Sequence, residues 1–368
     1  MLISMEMVSS EVSALFKKHP NVRLASLDDA GPLARFYNET IMNTGRLQIG
    51  FNRGTDYFSL LRLQGAKFTA LVCEEDGQIV GVGAVAFRKS TVRGISKTIG
   101  YLQDLRVSLK AKQRTRIQFY ACFSELVRIC PTLPEFDCCA LFVTAILDEN
   151  HTAKAALSRT SFPLEYSRLN RYKAHVWPKP FPTKLRALRQ NSSQDRNSKE
   201  LIGFYESQLG SLPYDITLDD LERFTRQAHP VVLRSEGIII AACLLVQTDL
   251  ERRLRAALSF RNLQFESSGT YLTALRVSRK ATSHTEMQIR QTLIKKALRE
   301  SFHLPGIFTG YISSEDGAPE LTWLQSRLSA QVGGSIYRVY HPEHTKIPGF
   351  TDGFLRPSHV PVLDWVLL

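Results

Sequence analysis

The sequence predicts an α+β protein in which one unit of structure is used twice, and three observations carry that prediction. The eleven residues Tyr101 to Ala111 (Tyr-Leu-Gln-Asp-Leu-Arg-Val-Ser-Leu-Lys-Ala) return almost unchanged at Tyr271 to Ala281 (Tyr-Leu-Thr-Ala-Leu-Arg-Val-Ser-Arg-Lys-Ala). Other landmarks recur in the same order: Leu33-x-x-Phe36-Tyr37 as Leu201-x-x-Phe204-Tyr205, the stretch Glu75 to Ala84 as Ser235 to Cys243, and Phe142 to Ile146 as Ile307 to Tyr311. Within each copy, short alternating apolar runs are interleaved with helical periodicities, as expected of a sheet with helices packed on it.

The elements of the first copy follow in chain order. A short strand begins at Val22, and Ser26-Leu27-Asp28-Asp29 reads as the N-terminal cap of a helix over Ala30 to Ile41. Phe68 to Cys73 is an apolar strand, Asp76-Gly77 a hairpin turn and Gln78 to Phe87 the returning strand, whose Gly81, Gly83 and Ala84 leave room for a close neighbour. Ser96 to Val107 alternates as a strand should, which places Tyr101, Gln103, Leu105 and Val107 on one face and Leu102, Asp104 and Arg106 on the other. Lys112 to Ile129 is predicted as an amphipathic helix with Ile117, Tyr120, Phe123 or Ser124, and Val127 along its apolar side. Ala140 to Leu147 is a further strand and Asn150 to Ser158 a further helix. The basic turn between Val107 and the long helix is a strand-to-helix junction of the kind that holds a phosphate at a helix N-terminus.

A chain of 368 residues accommodates two domains, each with its own core. The predicted division is a first domain over 1–180, a linker over 181–198 and a second domain over 199–368. The boundary follows from the prolines at Pro178, Pro180 and Pro182 and the polar run from Asn191 to Ser198. The six cysteines lack zinc-binding spacing, so buried reduced thiols and no metal are expected. No signal peptide and no apolar run of membrane-spanning length is apparent, which predicts a cytoplasmic protein without a membrane partner. The net charge of +12 and pI near 9.5 would suit nucleic acid. The basic residues, however, are dispersed in short clusters over both halves, which argues against a nucleic-acid partner and favours a small polyanionic ligand.

The unit, from the Ala30 helix through the Tyr-Leu-x-x-Leu-Arg-Val strand and the basic turn to the Phe142 strand and Asn150 helix, resembles the GNAT acyltransferase fold over most of the chain. That resemblance implies two tandem GNAT-like domains, each a mixed, mostly antiparallel sheet flanked by helices. It implies acetyl-CoA, or another acyl-CoA, as cosubstrate and a small-molecule amine or peptide as acceptor. The pantetheine would lie along Leu105, Arg106 and Val107. The diphosphate would lie on Lys112, Gln113, Arg114, Thr115, Arg116 and Ile117, and Asn150 would contact the pantetheine arm.

Departures from the family pattern are as specific as the match. The family's basic residue, glycine, and glycine or alanine correspond to Lys112, Thr115 and Ile117, and in the second copy to Thr282, Thr285 and Met287. The tyrosine that serves similar enzymes as general acid is replaced by Leu157. Asp104 is the candidate general base, because similar acetyltransferases carry an acid in that region; an ordinary ion pair with Arg106 is the competing reading. Tyr37, repeated as Tyr205, is expected to pack its helix, and His151 to be an idle surface residue. The leading expectation is acyl-CoA-dependent N-acyl transfer in the first domain by direct attack of an amine on the thioester. A non-catalytic GNAT-like binding protein and an aminoacyl-tRNA-dependent transferase remain open beside it.

Overall fold

Two hairpins with the same turn geometry lie one in each half of the sheet. Asp76 and Gly77 both have positive φ (51° and 73°), as do Glu236 and Gly237 (51° and 82°), the geometry that matches the twist of antiparallel strands. The computed structural model describes residues 1–39, 42–44, 47–92, 95–157, 163–179, 199–208, 221, 228–247, 253–258, 263–267, 269–278, 283–304, 306, 308–314 and 330–346. The predicted linker over 181–198 lies outside the described residues.

In chain order the first half comprises α1 (Ser10–Lys18), β1 (Val22–Leu24), α2 (Ala30–Glu39), β2 (Met42–Thr44), β3 (Leu47–Asn52), α3 (Phe58–Gln64), β4 (Lys67–Glu75), β5 (Gln78–Val92), β6 (Ile95–Val107), α4 (Gln113–Ile129), β7 (Leu141–Leu147), α5 (His151–Leu157) and β8 (Glu165–Pro178). The second comprises α6 (Lys199–Gln208), β9 (Ala228–Ser235), β10 (Ile238–Gln247), β11 (Arg253–Leu258), β12 (Leu263–Ser267), β13 (Gly269–Val277), α7 (Ser283–Ser301), β14 (Phe308–Ser314) and β15 (Ala330–Tyr340). The cap expected at Ser26 is present: Asp29 accepts from the Ser26 amide at 2.7 Å, and Arg23 holds the same carboxylate with two nitrogens at 2.7 and 2.8 Å.

The main sheet runs β1-β4-β5-β6-β7-β15-β8-β14-β13-β10-β9, so it passes continuously from one half into the other. Only β6 with β7 and β13 with β14 are parallel pairs within it; the other neighbours are antiparallel. The centre is an exchange of strands. β15, from the second half, lies on β7, and β8, from the first, lies on β14, with β15 and β8 paired to each other.

Both faces of the sheet are covered, as the alternation of its strands requires. In the first half, Phe119, Cys122, Phe123, Leu126 and Val127 of α4 pack with Val12 and Leu15 of α1 on one face, and Leu33 and Tyr37 of α2 with Phe58 and Leu61 of α3 on the other. Each fully buried phenylalanine in these layers contributes roughly 1.5–3 kcal/mol. α7 and α6 occupy the corresponding faces of the second half. The room predicted at Gly83 is used by α4: a Cβ there would lie 3.0 Å from the Phe123 ring.

Three expectations need correction. Ile117 is 59% exposed, because the apolar stripe of α4 is centred on Phe119 and Phe123, so that Ile117 points to solvent. Cys138 is exposed, whereas the other five free cysteines are buried. The strict alternation from Tyr101 to Val107 is also broken. Asp104 has φ +57°, and the β5–β6 register slips between Val82 and Ala84, which marks a β-bulge. The extra residue turns Gln103, Asp104 and Arg106 towards α2 and α3, while Leu102, Leu105 and Val107 pack under α4.

Candidate functional site

A bulge and a splay coincide on β6. Its parallel ladder with β7 consists of Ile99↔Leu141, Gly100↔Phe142 and Tyr101↔Val143, after which the Thr144 hydroxyl donates to the Leu102 carbonyl at 2.9 Å. β6 continues to Val107 while no strand pairs with its β7 side among the described residues, so the backbone of Leu105, Arg106 and Val107 borders an opening between two parallel strands. Gly100 sits where the strands are still together. A Cβ there would lie 2.5 Å from the Phe142 ring.

The side chains at the bulge form a buried charged cluster. Arg53, just beyond β3, donates from Nη2 to Asp104 Oδ2 at 2.6 Å, and the Tyr57 hydroxyl donates to the same oxygen at 3.0 Å. Only 3% of the Arg53 side chain and 7% of the Asp104 side chain are exposed. The Arg106 guanidinium lies 3.7 Å from the centre of the Tyr37 ring, and that of Arg53 lies 4.9 Å from it. Burial by itself would raise the Asp104 carboxyl, but the charges of Arg53 and Arg106 and the bonds from Arg53 and Tyr57 outweigh it and hold the group below its ordinary value. Burial, reinforced by Asp104, pushes the Tyr57 phenol well above its ordinary range. Asp104 is therefore an ionised partner of Arg53 rather than of Arg106 alone, and Gln103, hydrogen-bonded to Gln64 of α3, extends the cluster.

A few residues beyond the end of β6 the chain enters α4 through Lys112. Gln113 and Arg114 are exposed, Thr115 is buried and Arg116 half-buried. Arg114 and Arg116 form no ion pair with any other described residue. One carboxylate already stands at the helix start. Glu75 accepts from the Lys112 amide at 3.1 Å and from the Thr115 hydroxyl at 2.5 Å, while Lys112 Nζ lies 3.3 Å from Asp76. The Thr115 hydrogen bond, helped by the Lys112 amide and charge, keeps the Glu75 carboxyl below its ordinary value. Thr115, at a position where the family pattern has glycine, thus tethers an internal anion.

Asn150 caps α5, its Oδ1 accepting from the Ala153 amide at 3.0 Å, and His151 is exposed. Tyr57, Phe58 and Leu61 are fully buried cover for the sheet. Among the described residues, no group of three or more His, Cys, Asp or Glu is arranged to hold a metal ion, and no helix is long and apolar enough to cross a membrane. Sequence reasoning singled out Asp104 but missed Arg53 and Glu75. Nothing in the sequence around position 53 says that its arginine is buried.

No family model matches the sequence, and no curated protein sequence matches it. Solved structures do match in three dimensions. The Saccharomyces cerevisiae N-myristoyltransferase with bound myristoyl-CoA and inhibitors aligns at 12% identity over 92% of this chain and 84% of that one, with a TM-score of 0.55. A second structure of the yeast enzyme with myristoyl-CoA bound aligns at 11% identity over 87% and 83%, with a TM-score of 0.53. The fold is that of the GNAT acyltransferases. A GCN5-related N-acetyltransferase from Sphaerobacter thermophilus aligns at 12% identity over 86% of this chain and 94% of that one, with a TM-score of 0.50. The mixed sheet and the helices on both its faces fit that α+β fold.

Proposed function

We propose that this chain is an acyl-CoA-dependent N-acyltransferase whose chemistry lies in the first half, most simply acetyl transfer to an amine of a small molecule or peptide. The observation that carries the reading is the opening beside Leu105, Arg106 and Val107, directly after the bulge at Asp104. A thioester lying there would have its carbonyl within reach of strand amides, and fixed amides aimed at a developing oxyanion are an effective source of acyl-transfer catalysis. The amine nitrogen bonds to the carbonyl carbon, the carbon–sulfur bond breaks, and the proton lost by the amine ends on the departing thiolate, which leaves as the thiol. Asp104, bound to Arg53 and Tyr57, enters this reading as the residue that fixes the bulge rather than as the base that takes the amine proton. Arg114 and Arg116, with Lys112, Gln113, Thr115 and Ile117 around the helix start, would hold the diphosphate, and the Asn150 turn would border the pantetheine.

A specific observation favours a second reading, a GNAT-like binding protein that performs no transfer: Glu75 already occupies the Lys112 amide. Titration calorimetry at moderate salt tests both, with acetyl-CoA and myristoyl-CoA as probes. Dissociation constants of about 100 µM or tighter, near 5.5 kcal/mol of binding, that vanish in Lys112→Glu/Arg114→Glu support the acyl-CoA site. No binding of either thioester by the wild type sinks it. Tighter binding by Glu75→Ala would mean that the carboxylate competes with the diphosphate.

A further inference from the structure

Besides the main sheet, a second sheet of four strands, β12-β11-β3-β2, joins the two halves. β2 and β3 belong to the segment between α2 and α3 of the first half, whereas β11 and β12 form a hairpin between β10 and β13 of the second. β11 pairs with β3 from Leu258↔Leu47 to Arg253↔Asn52 without a slip, so the ladder stops one residue before Arg53. Asn38, near the end of α2, then clasps the backbone: its Oδ1 accepts from the Arg53 amide at 2.8 Å, and its Nδ2 donates to the Gly54 carbonyl at 3.2 Å. From that anchored backbone the Arg53 side chain runs to the bulge.

The placement of Arg53 is energetically demanding. Its Nε and Nη1 are buried without a hydrogen-bond partner, and its charge is met by Asp104 and by the flanking rings of Tyr37 and Tyr57. A buried guanidinium with unmade bonds is costly, and it stays in place only where the surrounding backbone dictates its position. The backbone that leads into it is β3, and the strand beside β3 is β11 of the other half.

We propose that Arg53 is a positioning residue of the acyl-transfer site, and that the second half's β11–β12 hairpin, by clamping β3, sets the Arg53–Asp104 pair and thereby the bulge of β6. The inference rests on the function proposed above, and it gives the second half a part in the site of the first. β11 is the link because it is paired on both sides: Ala256 lies opposite Ile49 of β3 and Phe265 of β12.

The test uses the full chain and the variants Ala256→Pro, Arg53→Lys and their combination. Proline removes a donor from an interior strand, and lysine keeps the charge of Arg53 while losing its planar fork. Two quantities are measured: hydrogen exchange of the Leu102 to Val107 amides without ligand, and acyl transfer from acetyl-CoA to hydroxylamine, read as hydroxamate and released CoA thiol. Each single variant is expected to speed exchange at β6 and to lower kcat about tenfold, with acetyl-CoA affinity nearly unchanged. The double variant should lose little more than either alone, as coupled sites do. Unchanged β6 exchange in Ala256→Pro, or losses that simply multiply, would overturn the proposal. If the wild type neither binds nor cleaves acetyl-CoA, the functional reading fails, and the exchange data alone still decide whether the hairpin controls the bulge.

Discussion

The strand that ends in Arg-Val-Ser is bulged in both halves at the same place, yet the two bulges are held in different ways. Asp104 and Ala274, 170 positions apart, have φ of +57° and +51°, and each faces a register slip in the neighbouring strand, at Val82/Ala84 and at Ala242/Leu244. In the first half a side chain does the holding, the Asp104 carboxylate bound by Arg53 and Tyr57. In the second, the backbone is held directly, the Tyr205 hydroxyl donating to the Ala274 carbonyl at 3.0 Å. The second half keeps the same shape without a charged pair because a tyrosine hydroxyl does the holding there. What the pair adds is a charge cluster beside the opening, and this is the physical reason to seek chemistry in the first half.

The largest expected effect comes from breaking that pair on one side only. Asp104→Ala leaves the Arg53 guanidinium buried without its carboxylate and should cost about 3–5 kcal/mol, measured by urea denaturation. Ala274→Gly, which relieves a positive φ while deleting one methyl, should change stability by less than about 1 kcal/mol. A loss below about 1 kcal/mol in Asp104→Ala would show that the ion pair holds nothing.

Two buried groups should also part company in acid. His175 of β8 is buried, stacked on Trp177 with ring centres 5.7 Å apart, and burial, with a smaller push from Lys173, lowers it to about 4. The folded state then refuses a proton that the unfolded chain accepts near pH 6.5. Stability falls as pH drops from about 6.5 to 4, by about 3 kcal/mol in total, and levels off below. Asp104 has the same sign of dependence but in a lower window: its pKa is lowered, so its contribution is complete above the unfolded value near 3.9 and is lost only as pH falls through the folded value. Denaturation curves between pH 7 and 4 should therefore flatten in His175→Phe and keep their slope in Asp104→Asn. An unchanged slope in His175→Phe would mean that the imidazole titrates normally.

Much of this fold is written in local signals. The turn at Asp76-Gly77, the cap at Ser26 and Asp29, and the period of α4 each follow from a few adjacent residues, and the Tyr-Leu-x-x-Leu-Arg-Val repeat marks β6 and β13 as equivalent. The site is less legible because its determinants are not local. A bulge at an aspartate has no glycine to announce it, so alternation alone sent Gln103 to the wrong face. The partner of Asp104 lies 51 residues earlier in the chain, and Glu75 meets Lys112 only because a hairpin turn ends beside a helix. The exchange of β8 and β15 leaves no mark that pattern can detect, since each strand finds a sheet edge in either half.

The point where the strands begin to part offers a smaller contrast. Gly100 has no side chain because the Phe142 ring fills that space, with Cys139 Sγ 3.3 Å from the site of a Cβ. Its counterpart 170 positions later is Thr270, buried, whose hydroxyl accepts from Lys179 Nζ at 2.8 Å. Gly100→Ala should cost about 1–3 kcal/mol through overpacking, and adding Phe142→Leu should recover part of it. A neutral Gly100→Ala would indicate that Phe142 has room to move.

The finest contrast is a single hydroxyl. Tyr37 and Tyr205 occupy equivalent places on α2 and α6 and both are buried. Tyr205 spends its hydroxyl on the bulge carbonyl, whereas no hydrogen bond joins the Tyr37 hydroxyl to another described residue, and its ring instead carries the guanidinium of Arg106. Tyr205→Phe should therefore cost about 1 kcal/mol, and Tyr37→Phe close to nothing in the same denaturation assay, since phenylalanine keeps the ring face that the cation uses. Equal costs would mean that the two tyrosines do the same work and that the Tyr37 hydroxyl has a partner at the bulge. Unequal costs would mean that only the second half uses its tyrosine hydroxyl to hold the bulge, while the first half uses the ring as a seat for Arg106.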